Sequence, residues 1–194
     1  MSSFYKLLFI TSLISAFVIA DNPVVNANNR SAASATATGY SALKLFLEDE
    51  QHLTTIRRTK MVISFSGISD KSTKLIDDIN DSSEQAIEEL EKLAAIKPAL
   101  LFKEFSDETI AKATLDSLRV TTAKEFFFES DNFEKNLLLS QLNILRVISH
   151  LAKQLEEKET SAKRKAWLNR LAHRYENYYQ QVHARIILSA NGKA

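Results

Sequence analysis

Residues 70–97 read DKSTKLIDDINDSSEQAIEELEKLAAIK, and this stretch decides the fold class. Ile76, Ile79, Ser83, Ala86, Leu90 and Leu93 follow one another at steps of 3, 4, 3, 4 and 3. That spacing is the a/d seam of a helix laid lengthwise on a neighbour. Ser83 and Ala86 are small, so the partner backbone can approach closely there. Pro98 ends or bends the helix, because it lacks an N–H and its ring clashes with the preceding turn.

A helix of this kind needs partners, and the flanking sequence supplies them. Upstream, residues 40–65 place Phe46, Leu53, Ile56 and Ile63 on one stripe. The second half of that segment, TTIRRTKMVISFS, is rich in β-branched residues and could pass for a strand; with helical patterns around it, it reads as helix, ended by Gly67. Downstream, PALLFKEFS at 98–106 is an apolar connector expected to tuck against the core as a short turn of helix. Ser106 or Asp107 can cap a third helix over about 107–129. Asp131 and Glu134 resemble a capping box for a fourth. That helix carries Leu137, Gln141, Ile144, Ile148, Leu151 and Leu155 on one stripe, with Leu138, Leu142 and Leu145 beside it, which makes it the candidate central helix. A fifth, about 161–189, starts at Thr160 or Ser161 and repeats Leu168, Leu171, Tyr175, Tyr178, Val182 and Ile186 at helical spacing.

Matched long helices with short connections predict an all-α chain, an up-and-down antiparallel bundle of four to five long helices. The expected bundle domain is 39–190, followed by a short tail at 191–194. Composition agrees. Three glycines and two prolines in 194 residues are too few for a turn-rich β domain.

The N-terminus carries a different kind of information. Lys6 precedes the uncharged run LLFITSLISAFVIA at 7–20. This is the layout of a cleavable export signal, with cleavage after Ala20 or Ala27. The run of 14 residues is shorter than the ~20 needed to span a membrane, so removal is favoured over anchoring. The expected location is secreted or periplasmic. Residues 21–38, DNPVVNANNRSAASATAT, show no hydrophobic period and read as a flexible leader. Asn29-Arg30-Ser31 and Asn80-Asp81-Ser82 match the glycosylation acceptor pattern.

Function is bounded mainly by exclusion. The chain has no cysteine, which removes thiolate metal sites and a thiol nucleophile. Its 25 basic and 24 acidic residues give a net charge of +1, which argues against nucleic acid as a partner. A di-iron bundle needs Glu-x-x-His pairs. The residues three before His52, His150, His173 and His183 are Asp49, Val147, Arg170 and Gln180, so a ferritin-like metal protein ranks low. His173, Glu176 and His183 share one side of the last helix, and Asp77, Asp81, Glu84 and Glu88 form an acidic stripe. Both read as solvated faces: the first lies opposite the Leu168–Tyr178 seam, and in the second a straight helix spreads carboxylates that calcium requires to converge. Ser41-Ala42-Leu43-Lys44 has the spacing of a Ser-x-x-Lys nucleophile but lacks the companion Ser-Asp-Asn and Lys-Thr-Gly motifs. No enzyme and no cofactor are expected.

Charge and aromatic residues point to binding instead. Residues 68–97 hold eight acids and four lysines, whereas 160–194 hold seven bases and one acid. Either these two helices lie side by side, or the last presents a basic face to an acidic partner or anionic lipid. Phe126, Phe127 and Phe128 are consecutive and cannot all face one core. Trp167, Tyr175, Tyr178 and Tyr179 combine apolar bodies with polar tips, as interfaces do. The expected function is an exported module that binds another protein, with an amphipathic lipid-binding or membrane-surface protein as the alternative. The candidate surface is Lys163, Arg164, Trp167, Arg170, His173, Arg174, Tyr179 and His183.

Overall fold

The computed structural model describes residues 36–49, 68–102 and 133–190, all within the unit Ser34–Ala194. Among these residues every regular element is an α-helix: α1 over 36–49, α2 over Asp70–Ala94, α3 over Phe133–Lys158 and α4 over Ala162–Ala190. The segments expected at 50–67 and 107–129, with Gly67 and Phe126 to Phe128, lie outside the described residues. So do the export signal, nearly all of the leader and the C-terminal tail.

Helix α2 starts because Ser69 is extended, with φ −60° and ψ 145°, and its Oγ accepts the Ser72 N–H at 3.4 Å. A second orphan donor, the Ser69 N–H, goes to Glu134 Oε2 on α3 at 3.3 Å, while Ser69 Oγ donates to Glu134 Oε1 at 2.7 Å. A capping box normally closes within one helix. Here Glu134 completes it from another helix; the local box expected with Asp131 falls on a residue outside those described. The seam predicted on α2 is the buried one: Ile76, Ile79, Ser83, Ala86 and Leu90 face inward, joined by Ser72, Leu75 and Ser82, with Leu93 half-buried.

Two expectations need correction. Helix α1 begins by residue 36, inside the stretch read as leader. Its inward residues are Tyr40, Leu43 and Leu47, with Phe46 half-buried and packed against the core; Leu53, Ile56 and Ile63 of the expected stripe lie outside the described residues. The connector after Ala94 forms a turn through Ala95 and then runs without helix to 102. Leu100 and Phe102 pack on the core, but Leu101 is 80% exposed.

Helices α3 and α4 pack closely, and α2 packs on α4. Ser149 Oγ donates to the Ala172 carbonyl at 3.0 Å and Asn169 Nδ2 to Glu156 at 3.2 Å. Between α2 and α4, Ser83 and Tyr175 share a 2.6 Å hydrogen bond in the core, and Tyr178 donates to the Asp78 carbonyl at 3.1 Å. The acidic and basic helices therefore lie side by side. Their contact runs through hydroxyls of serine and tyrosine at the centre. Helix α1 comes onto α3 at Gly39, where an added Cβ would stand 2.7 Å from Leu155 Cδ2. Glycine permits that approach. The core joining these helices is leucine- and isoleucine-rich, with Tyr40, Phe133, Trp167 and Tyr175 as its aromatic members.

Candidate functional site

Helix α4 carries all eight residues of the predicted surface, and the structure divides them. Lys163, Arg170, His173 and His183 are exposed, and Arg174 and Tyr179 are half-buried. Arg164 and Trp167 are interior, at 1% and 3% exposure, and leave the outward set. The periodicity explains both. Arg164 lies four residues before Leu168 and Trp167 four before Leu171, on the arc that faces the core.

Arg164 is the hub of a buried polar knot. Its Nε donates to Glu159 Oε2 at 2.8 Å and its Nη2 to Glu159 Oε1 at 3.1 Å, a two-pronged pairing. Its Nη1 donates to the carbonyls of Ile96 and Pro98 at 2.8 and 2.9 Å. Glu159 also accepts the Tyr40 hydroxyl at 2.5 Å and the Ser161 N–H at 2.7 Å. One ion pair thus ties α1, the α2 connector and the α3–α4 turn. Burial pushes the Glu159 carboxyl up, but hydrogen bonds from Arg164, Tyr40 and Ser161 outweigh it and hold it below its usual range. Burial, reinforced by Glu159, pushes the Tyr40 phenol well above its ordinary value. The carboxylate is ionised and the phenol protonated, so every member is satisfied. Trp167 is likewise spoken for, since its indole N–H donates to Glu89 at 2.8 Å.

What remains exposed on α4 forms two edges. On the α2 side, Arg174 donates to Ser82 Oγ at 3.2 Å beside an open groove of about 340 Å³, lined also by Asp78, Asp81, Gln85, Asn177 and Tyr178. On the α3 side, Tyr179 and His183 stack with ring centres 6.1 Å apart and planes 9° from parallel. The guanidinium of Arg146, on α3, lies 4.6 Å from the Tyr179 ring centre and also hydrogen-bonds the Tyr179 hydroxyl. Ile187 continues this row one turn beyond His183 and is 47% exposed. Arg146 had no place in the predicted surface. Its one sequence signal is a lone arginine inside the leucine- and isoleucine-rich run 137–148.

The other candidates do not assemble. Ser41 Oγ donates to the Ala37 carbonyl at 2.9 Å, and Lys44 pairs with Glu91 at 2.9 Å and stands 5.3 Å from the Phe102 ring centre. Glu176 bonds Gln180 at 3.4 Å and Ser149 at 3.5 Å. Among the described residues no three His, Cys, Asp or Glu side chains converge as metal ligands, and no helix is long and apolar enough to cross a membrane. No protein-family model, curated protein or solved structure matches this chain.

Proposed function

We propose that this chain is an exported, non-enzymatic bundle in up-and-down antiparallel order that binds another protein through the exposed face of α4, without a cofactor. The antiparallel order is supported by α3–α4 contacts in which rising numbers on one helix meet falling numbers on the other: Arg146 with Tyr179, Ser149 with Ala172, Glu156 with Asn169. Export rests on Lys6 and the apolar run 7–20.

One observation carries the binding reading: Tyr179, in contact with both Arg146 and His183, on a row that Ile187 continues at 47% exposure. Tyrosine and arginine are the residue types that dominate binding energy at interfaces. A ring held in place before docking also loses less rotamer freedom on binding. Lys163 and Arg170 add positive charge on the exposed arc, which favours an acidic partner and a salt-dependent on-rate.

A photo-crosslinking amino acid at position 183, with one at the exposed Glu157 position as control, tests this in the native host. A single discrete protein adduct at 183 and none at 157 is expected. Tyr179→Ala should weaken the isolated complex about thirtyfold, the size of a hot-spot truncation. Equal labelling at both positions, or adducts to lipid alone, refutes the reading.

A further inference from the structure

The groove between α2 and α4 holds charge that the fold itself does not spend. Arg174 is half-buried beside it, and a guanidinium offers five N–H donors. Its bond among the described residues is the one to Ser82 Oγ at 3.2 Å, and it forms no ion pair there. Asp78 and Asp81 line the same space of about 340 Å³, both exposed and neither in an ion pair among the described residues. Asp81 Oδ1 accepts a 3.5 Å bond from Asn80, and Asp78 gives Tyr178 its backbone carbonyl, not its carboxylate. Arg164, on the same helix, behaves oppositely and takes Glu159 with two prongs. An arginine and two aspartates thus share one groove without neutralising one another.

The geometry points to this groove as a binding site for a free dibasic amino acid, whose carboxylate takes the unspent donors of Arg174 while its two ammonium groups take Asp78 and Asp81. Charge selects that class. A simple anion meets Arg174 but is repelled by two carboxylates. A diamine meets the aspartates and leaves the guanidinium alone, and a neutral amino acid leaves one carboxylate over. Water solvates each group separately and joins none of them. Two carboxylates and one guanidinium leave the groove one negative charge in excess, and lysine, with two ammonium groups and one carboxylate, cancels it. Spacing agrees: Asp78 and Asp81 are three apart on a helix, which sets their Cβ atoms about 5–6 Å from each other, within the reach of lysine's α- and ε-ammonium groups. The space lies at the small end of the ~300–1,000 Å³ of small-molecule sites, and the exposed amides of Gln85 and Asn177 add donors and acceptors to its lining. This edge of α4 is not the Tyr179 edge, so the inference is independent of the protein-binding reading.

Calorimetric titration of the purified protein with L-lysine, cadaverine and L-norleucine provides the test, since cadaverine is lysine without the carboxylate and norleucine is lysine without the side-chain ammonium. Lysine is expected to bind saturably and about tenfold more tightly than either truncated probe, the ratio of one charge-assisted hydrogen bond. Arg174→Gln should abolish the preference over cadaverine, and Asp81→Asn the preference over norleucine. Asp81 is exposed and the amide has the same shape, so that second variant keeps the fold whatever the first does. Three results overturn the inference: no saturable binding of lysine, equal binding of the three probes by the native protein, or either preference surviving its substitution.

Discussion

Replacing Arg164 with methionine removes one charge and keeps most of the apolar stem, so its cost reads the polar knot rather than the packing. The structure sets the magnitude. The Arg164 and Glu159 side chains are only 2% and 3% exposed, so the carboxylate left behind cannot rehydrate without opening the α3–α4 turn. Breaking one side of a buried pair costs about 3–5 kcal/mol. The carbonyls of Ile96 and Pro98 lose their donor too, but they belong to a surface connector and can turn to water, so they add little. A loss of that size is a large share of the ~5–15 kcal/mol of a typical domain and lowers the melting temperature by roughly 6–20 °C in a domain of this length. Urea unfolding followed by both circular dichroism and Trp167 fluorescence measures it, the indole lying three residues from the substitution. The double variant Arg164→Met, Glu159→Gln should recover part of the loss, because the uncompensated charge is gone while the Tyr40 and Ser161 bonds can still form. A cost below about 1 kcal/mol, the size of an exposed pair, or strict additivity of the two substitutions, refutes the knot.

Acid should unfold the protein through the same group. The folded Glu159 carboxyl titrates below its unfolded value, so its contribution is complete above the unfolded pKa of about 4.3 and is lost as pH falls through the folded one. Glu134, lowered by its bonds from Ser72 and Ser69 against the opposing effect of burial, adds a second loss in the same direction. Stability measured from pH 6 down to 2 should therefore decline more steeply in the native protein than in Arg164→Met; parallel curves would contradict this. Ser69→Ala removes the α2 cap and the bond to Glu134 together and should cost about 1–2 kcal/mol, with faster hydrogen exchange in the first turn of α2 than in its centre. Uniform exchange along α2 would count against the interhelical box.

Periodicity was enough for the helices because each buries one stripe against another. The 3-and-4 spacing from Ile76 to Leu93, and that from Leu168 to Ile186, needs no knowledge of the partner, only that apolar area leaves water. The absence of cysteine and the scarcity of glycine and proline likewise confined the chain to packed helices. Polar residues are another matter, because a side chain's partner depends on which helix arrives beside it. Arg164 and Trp167 read as surface by residue type, yet they sit on the inward arc, where Glu159 and Glu89 receive them. Glu134 caps a helix 65 positions away in sequence, Arg146 settles on Tyr179 from a different helix, and Gln141, which carries no signal in the stripe that sets it apart, is left without a side-chain bond among the described residues. Local spacing dictates where the chain coils and which side turns inward, since those energies are summed over one segment. Pairing of charges and amides is a property of two segments brought together, and only the folded arrangement decides it.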